Sequence, residues 1–202
     1  MPETRWLKIN PARPEPGKIE EIVRVLEKGG LAAFPTETVY GLAALAENRR
    51  AVRKIYRLKK RPQGKALTVQ VASVKKIADL IPAVPDEAQI LLKQFCPGPI
   101  TLILKKKRGK IGIRIPAHKI SLAILKKINR PLVVTSANLS GRKDPVTADE
   151  VRRNFDGRIE AIVDGGRTRA ALPSTVIDLS GKRWRILRPG KIKLEKVREA
   201  LA

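Results

Sequence analysis

The sequence predicts one α/β domain, a mixed sheet with helices packed around it. Short apolar runs alternate along the chain with stretches whose apolar residues recur at helical spacing. No segment repeats at a fixed period, and no low-complexity linker interrupts the 202 residues. Apolar residues make up 43% of the chain, enough for a good-sized core and too many for a disordered one.

Residues 1–16 mix prolines with charged side chains and are expected as an extended N-terminal arm, with the domain proper over 17–202. In 17–28, Ile19, Ile22, Val23 and Leu26 form one helical stripe. Gly29-Gly30 ends it, and the apolar run 31–34 reads as a short buried strand. The stretch Pro35-Thr36-Glu37-Thr38-Val39-Tyr40-Gly41-Leu42 follows. It sets two hydroxyls, a carboxylate and a phenol close together and then returns to a helical pattern through Gly41. Open α/β sheets place ligands at the carboxyl ends of their strands, where this cluster falls. The competing explanation is a threonine that caps the next helix.

A basic helix is expected over 48–58, with Val52, Ile55 and Tyr56 inward, and Pro62 forces the chain out of it. Residues 66–71 read as a strand. Ser73 is placed to cap a helix to residue 80, and 86–95 is a stronger helix. Pro97-Gly98-Pro99 breaks the chain before a strand at 100–104. Another strand, 112–115, holds Arg114 between two isoleucines. A helix over 121–128 precedes the buried strand 132–135 and the loop Ser136-Ala137-Asn138-Leu139-Ser140-Gly141. Thr147 and Glu150 make a capping box for a helix to 155. Strands at 161–163, 175–178 and 183–187 follow, the last two joined through Ser180-Gly181, and 193–202 closes with a helix.

The charge narrows the partners. Forty-three Lys and Arg against nineteen Asp and Glu give a formal +24, a field that attracts polyanions. Aromatic residues are only 3%, which argues against a stacking platform for single strands. No window approaches the roughly 18 apolar residues that cross a membrane, and the N-terminal Met1-Pro2-Glu3-Thr4-Arg5 has no signal-peptide apolar core. A cytoplasmic protein without membrane contact is the expectation. Cys96 has no partner for an internal disulfide and is expected as a buried, inert thiol. His118 is the single histidine, which excludes most histidine-based metal sites and two-histidine relays.

Glycine-rich phosphate cradles are missing. Gly64-Lys65 is followed by Ala66, with no glycine at the P-loop distance, and no Gly-x-Gly-x-x-Gly occurs. Side chains must therefore do much of any phosphate binding. Lys59 and Arg61, two apart on an expected extended segment, point to one side and converge on a phosphate; a solvated basic turn is the alternative. Thr135-Ser136-Ala137-Asn138 leaves a buried strand through small polar groups that suit ribose or phosphate oxygens, or merely a local turn. Arg114, flanked by apolar residues, needs a buried partner or a ligand carboxylate. Ser174 and Arg188 stand at strand ends.

In this order, these pieces resemble the YrdC-type threonylcarbamoyl-adenylate synthases. The 35–42 stretch is similar to that family's N-terminal signature; Lys59-x-Arg61 and Ser136-x-Asn138 match its Lys-x-Arg and Ser-x-Asn elements. Pro97-Gly98-Pro99-Ile100-Thr101, Arg114-Ile115-Pro116, Ser174-Thr175-Val176-Ile177-Asp178 and Arg188-Pro189-Gly190 match further blocks, so the resemblance covers about 18–191. It implies a twisted, open mixed sheet with a large basic concave face. It implies an enzyme that turns L-threonine, bicarbonate and ATP into threonylcarbamoyl-adenylate and pyrophosphate, and partner proteins that pass the adenylate to tRNA. It implies that Thr36, Arg114, Thr135 and Ser174 hold threonine, that Lys59, Arg61, Ser136, Asn138 and Arg188 bind ATP, and that Lys59 and Arg61 serve catalysis. Tyr40 would wall the pocket. Mg²⁺ is expected with ATP, with no protein ligand assigned. Gln70 stands where the family often has histidine and Asp144 where it often has serine. The rival reading is a non-catalytic basic module for double-stranded RNA or tRNA; RNA contact is also compatible with the synthase.

Overall fold

The computed structural model describes residues 3–202. Its strands are β1 Arg5–Lys8, β2 Ala32–Pro35, β3 Tyr40–Leu45, β4 Thr68–Gln70, β5 Ile100–Lys105, β6 Lys110–Arg114, β7 Leu132–Ser136, β8 Ala161–Asp164, β9 Thr175–Asp178 and β10 Arg185–Arg188. The α-helices are α1 Pro16–Glu27, α2 Arg49–Lys59, α3 Asp86–Phe95, α4 Lys119–Ile128, α5 Ala148–Phe155 and α6 Leu194–Leu201. All the strands join one mixed sheet in the order β1-β8-β2-β3-β7-β4-β6-β5-β9-β10. This is the α/β architecture expected.

Three local expectations are corrected. The N-terminal arm is not outside the domain: β1 pairs in parallel with β8, Arg5 opposite Ala161 through Lys8 opposite Asp164. Trp6 favours an extended backbone, while Arg5 and Lys8 keep this sheet edge charged and unattractive to another strand. After Gly41 the chain continues as strand β3, not as a helix. Every residue of β3 is buried, so the continuous apolar run has no period that separates strand from helix. The helix expected from Ser73 to residue 80 is a single 3₁₀ turn, Val74–Ile77, whose Ser73 side chain makes no capping bond.

Elsewhere local chemistry agrees with the outcome. Asn48 caps α2 by accepting from the Ala51 N–H, and Thr147 with Glu150 forms the full capping box of α5.

Alternation along the strands sorts their side chains into two cores. Ala32, Phe34, Ala43, Leu45, Leu132, Val134, Ala161 and Val163 meet the apolar stripes of α1 and α4 on one face. Ala33, Leu42, Ala44, Val133 and Ile162 face a second core built with α2, α3, α5 and α6. The first of these faces changes character at β4. Register carries it from Leu132 and Val134 to Gln70 and Thr68, and then to Arg114 and Gly112. One step along from the Leu102–Ile113 pair, Thr101 lies opposite Arg114. The same face that is apolar under α1 and α4 is thus polar beyond β7, and a cavity opens there, walled by strands and loops.

Candidate active site

The signature stretch is a hairpin. β2 and β3 pair antiparallel, with Pro35 opposite Tyr40. Between them the Thr36 hydroxyl accepts from the Thr38 and Val39 N–H groups (3.2 and 3.3 Å) and donates to the Val39 carbonyl (2.7 Å). The threonine builds a tight turn rather than a helix cap. Gly41 is required where β3 crosses the cavity floor: a Cβ there would sit 2.6 Å from Val134 Cγ1. The Tyr40 hydroxyl donates to the Gly166 carbonyl (2.7 Å) and accepts from the Gly165 N–H (3.3 Å). Burial pushes this phenol far above its usual pKa, so it stays neutral and acts as a strut for the hairpin.

Arg114, at the end of β6, is 7% exposed. Its Nη2 donates to Glu37 Oε1 (2.7 Å) and Thr38 Oγ1 (2.9 Å). The pair is nearly dry, which makes its geometry costly to disturb. It is also incomplete, because Arg114 Nε and Glu37 Oε2 are buried without partners. Gln70, register neighbour of Arg114, is 3% exposed, and its Oε1 is likewise unpartnered. Orphaned buried polar atoms are rare and costly, about 1–3 kcal/mol each, and two of these residues, Arg114 and Gln70, line the cavity.

Opposite them, Ser174 Oγ shares a 2.8 Å hydrogen bond with Thr101 Oγ1. Arg188, ending β10, donates through Nε and Nη2 to the Ser174 carbonyl (3.2 and 2.9 Å) and through Nη2 to Ser174 Oγ (3.1 Å). Its guanidinium therefore reaches the cavity from the rim, fixed to the strand that carries the serine.

The Lys59-x-Arg61 element differs from its expected form. Lys59 is the last residue of α2, and Lys60 turns the chain in the left-handed conformation at φ 51°. The two cations do not share one side of an extended segment. Lys59 is 1% exposed, and its ammonium donates to the carbonyls of Ser136 and Asn138 and to Asn138 Oδ1 (3.0 Å). Asn138 Oδ1 also accepts from Ser136 Oγ (2.7 Å), and Asn138 Nδ2 donates to the Arg142 carbonyl. Lys59 and Asn138 together pin the loop after β7. Burial first, then the nearby Arg61, pull the Lys59 pKa down to about 8, with Asp144 opposing. Arg61 turns the other way, donating to the Lys65 and Ala66 carbonyls (2.9 Å each) while lining the cavity.

One cavity of about 130 Å³ thus gathers Thr36, Arg61, Arg114, Thr135, Ser136, Ser174 and Arg188. Lys59 and Asn138 stand behind its wall. Gln70, Thr68, Thr101 and Asp144 also line it, although neither the motifs nor the resemblance assigns them a ligand. The alternation Thr68, Gln70 against Val69, and Thr101 against Ile100 and Leu102, marks the three strand residues; Asp144, in a loop, is marked only as a departure from the family's usual serine. Cys96 is half-buried, and burial pushes its thiol up to about 11, which removes it as a nucleophile. His118 lies outside the cavity wall.

Comparison with known proteins follows this geometry. The Sua5/YciO/YrdC family model, described as telomere recombination, matches residues 24–190. A threonylcarbamoyl-AMP synthase of Pyrococcus abyssi is 40% identical over 199 residues, covering 94% of this chain and 58% of that one. A protein of the same description from Bacillus subtilis is 39% identical over 191 residues, covering 89% and 55%. The chain thus spans little more than half the length of these relatives. The crystal structure of P. abyssi Sua5 complexed with L-threonine superposes with a TM-score of 0.95 at 38% identity, over 98% of this chain and 61% of that one. The matched segment runs from within α1 through β10 and contains every side chain that lines the cavity, and on that ground the chain belongs to the Sua5/YciO/YrdC family.

Proposed function

We propose that this chain is an L-threonylcarbamoyladenylate synthase, a nucleotidyltransferase that takes L-threonine, bicarbonate or CO₂ and ATP to threonylcarbamoyl-AMP and pyrophosphate. The observation that carries the proposal is the single cavity in which Arg61, Arg114 and Arg188 meet the hydroxyls of Thr36, Thr135, Ser136 and Ser174. A zwitterionic amino acid and a polyphosphate are the ligands whose charges such a lining matches. The relative captured with L-threonine supports the choice of amino acid.

Arg114 receives the threonine carboxylate through its free Nε, held in place by Glu37 and Thr38. Thr36, Thr135 and Ser174 surround the amine and side chain. The neutral amine forms a bond to the carbon of CO₂ and loses one proton to solvent, giving a carbamate; when bicarbonate is the carbon source, its C–OH bond breaks and the hydroxyl leaves as water with the amine proton. A carbamate oxygen then bonds to the α-phosphorus as the bond to the β-phosphate oxygen breaks, and pyrophosphate leaves with that electron pair. Arg61 and Arg188 offset the charge of the phosphates, and Ser136 binds beside them. Holding both reactants in one small space supplies much of the acceleration. Lys59 and Asn138 act by fixing the loop that presents Ser136.

Mg²⁺ travels with ATP in this proposal. Among the described residues no group of three or more His, Cys, Asp or Glu side chains is arranged for a metal, so a substrate-borne ion fits better than a resident one. When bound, it neutralises phosphate charge. Passing the adenylate to tRNA-modifying partner proteins, a cytoplasmic location, and RNA contact along the exposed arginines of α2, Arg49, Arg50, Arg53 and Arg57, belong to the same proposal.

The test is to incubate the pure protein with ATP, bicarbonate and either L-threonine or L-serine, and to weigh the products. A threonine-dependent adenylate is expected. ATP left intact, or hydrolysed equally without an amino acid, removes the reading.

A further inference from the structure

The cavity holds a carboxylate that the proposed chemistry leaves unexplained. Asp144 is half-buried and lines the space shared by Arg61, Arg188 and Ser136. None of the ion pairs among the described residues includes it. Its position is nevertheless fixed from both sides. The Arg142 carbonyl accepts from Asn138 Nδ2, and the Pro145 carbonyl accepts from the Tyr40 N–H at 2.9 Å. Asp144 is also the residue common to two neighbouring spaces, the 130 Å³ cavity and a larger open groove of about 570 Å³ on the far side of the 139–145 loop. The small cavity is well under the roughly 300–1,000 Å³ of ordinary small-molecule pockets, and Asp144 stands where it adjoins the larger groove that has room for the rest of a nucleotide. Glu150, the other carboxylate of that groove, is committed to the capping box of α5.

An anionic side chain beside a triphosphate repels it unless a cation stands between them. Magnesium sites of nucleotide enzymes commonly consist of one or two carboxylates, several waters and the substrate's own phosphates. We propose that Asp144 is the protein ligand of a divalent cation that enters with the nucleotide, binding the ion directly or through one of its waters. The site is half-made in the protein and completed by phosphate oxygens. The proposal rests on the ATP-dependent reading of the cavity. The electrostatics agree: burial, foremost, lowers the pKa of both Lys59 and Arg188, and Asp144 opposes that lowering in each.

The experiment compares native protein, Asp144→Asn and Asp144→Ser by calorimetric titration with α,β-methylene-ATP, once in EDTA and once in excess Mg²⁺. In EDTA both variants bind the analogue more tightly than the native chain, because a repulsive charge is gone. In Mg²⁺ the order reverses, and the native chain leads by roughly tenfold. Mn²⁺ in place of Mg²⁺ gives a second readout: its effect on water proton relaxation in the ternary complex weakens in the variants. A substitution effect of the same size and sign with and without metal overturns the assignment and leaves Asp144 a rim charge or a ribose contact. No binding of the analogue by native protein overturns the ATP reading together with this one.

Discussion

Two halves of one sheet face carry opposite assignments. From β8 through β7, Ala161, Val163, Ala32, Phe34, Ala43, Leu45, Leu132 and Val134 lie under α1 and α4. Each large side chain buried there contributes about 1.5–3 kcal/mol. From β4 through β10 the same face presents Thr68, Gln70, Arg114, Thr101, Ser174 and Arg188 around a cavity. Burying such groups costs free energy unless every donor and acceptor is met, and here Gln70 Oε1 and Arg114 Nε are unmet. The first half supplies the stability that lets the second keep polar atoms poised for a ligand. Backbone hydrogen bonding runs unbroken across the boundary, so residue choice on one side of the pleat makes the difference.

Substitutions should therefore separate the halves. The largest effect is expected at the cations. Arg61→Ala and Arg188→Ala should each lower threonine-dependent pyrophosphate release by about 10²–10³-fold, with thermal unfolding little changed. Arg114→Ala should be as inactive and also less stable, because it strands Glu37 as a nearly dry, unpaired carboxylate. Leu132→Ala or Ile124→Ala in the apolar half should do the reverse. Each should cost about 2–5 kcal/mol in denaturant titration while turnover per folded molecule stays near native.

Lys59 sharpens the boundary, since it serves the site from behind the wall. Its folded pKa of about 8 lies below the ordinary value of 10.5. Below pH 8 both folded and unfolded states hold the proton, and the folded state bears the full penalty of a buried charge. Between about 8 and 10.5 only the unfolded state holds it, so this group's contribution to stability improves as pH rises. The native chain should gain on the order of 1–3 kcal/mol relative to Lys59→Met across that window. Turnover should fall over the same range, as the ammonium that pins the Ser136–Asn138 loop is lost.

A smaller effect is expected at Asp178, at the outer edge of the polar half. Burial alone would raise its pKa, but hydrogen bonds from the Ser180 hydroxyl and N–H and from Lys110 outweigh it and hold the carboxyl at about 2. Its stabilisation is present above the ordinary carboxylate value near 3.8 and is lost as pH falls towards 2. Asp178→Asn should cost about 1–2 kcal/mol at pH 7 and little at pH 2.

Much of the apolar packing was legible in the sequence. The stripe Ile19, Ile22, Val23, Leu26 is the buried side of α1, and Thr147 with Glu150 starts α5 where a capping box should. The hidden parts depended on contacts distant in sequence. Tyr40–Leu45 is buried on both faces, so its pattern holds no period, and only pairing with β2 and β7 makes it a strand. Arg5–Lys8 becomes a strand because β8 leaves an open edge. The motifs point to these cations but not to their geometry: where an extended segment is expected, α2 ends at Lys59, a left-handed Lys60 turns Arg61 away, and nothing local announces that carbonyls of the 136–138 loop accept from the Lys59 ammonium. Thr68 is visible only as a polar position in a largely apolar strand, whereas Gln70 and Thr101 also fall in stretches that the resemblance marks.

The central claim is that the polar half of the sheet face brings an amino acid and a nucleotide within reaction distance. The exchange of labelled pyrophosphate into ATP, measured with native protein and with Arg114→Lys, tests it most directly. The account predicts exchange that requires both L-threonine and bicarbonate and that collapses in Arg114→Lys, where a single ammonium replaces a guanidinium that binds Glu37 and Thr38 through Nη2 while leaving Nε for the carboxylate. Exchange that proceeds without threonine, or that survives unchanged in the variant, would contradict it.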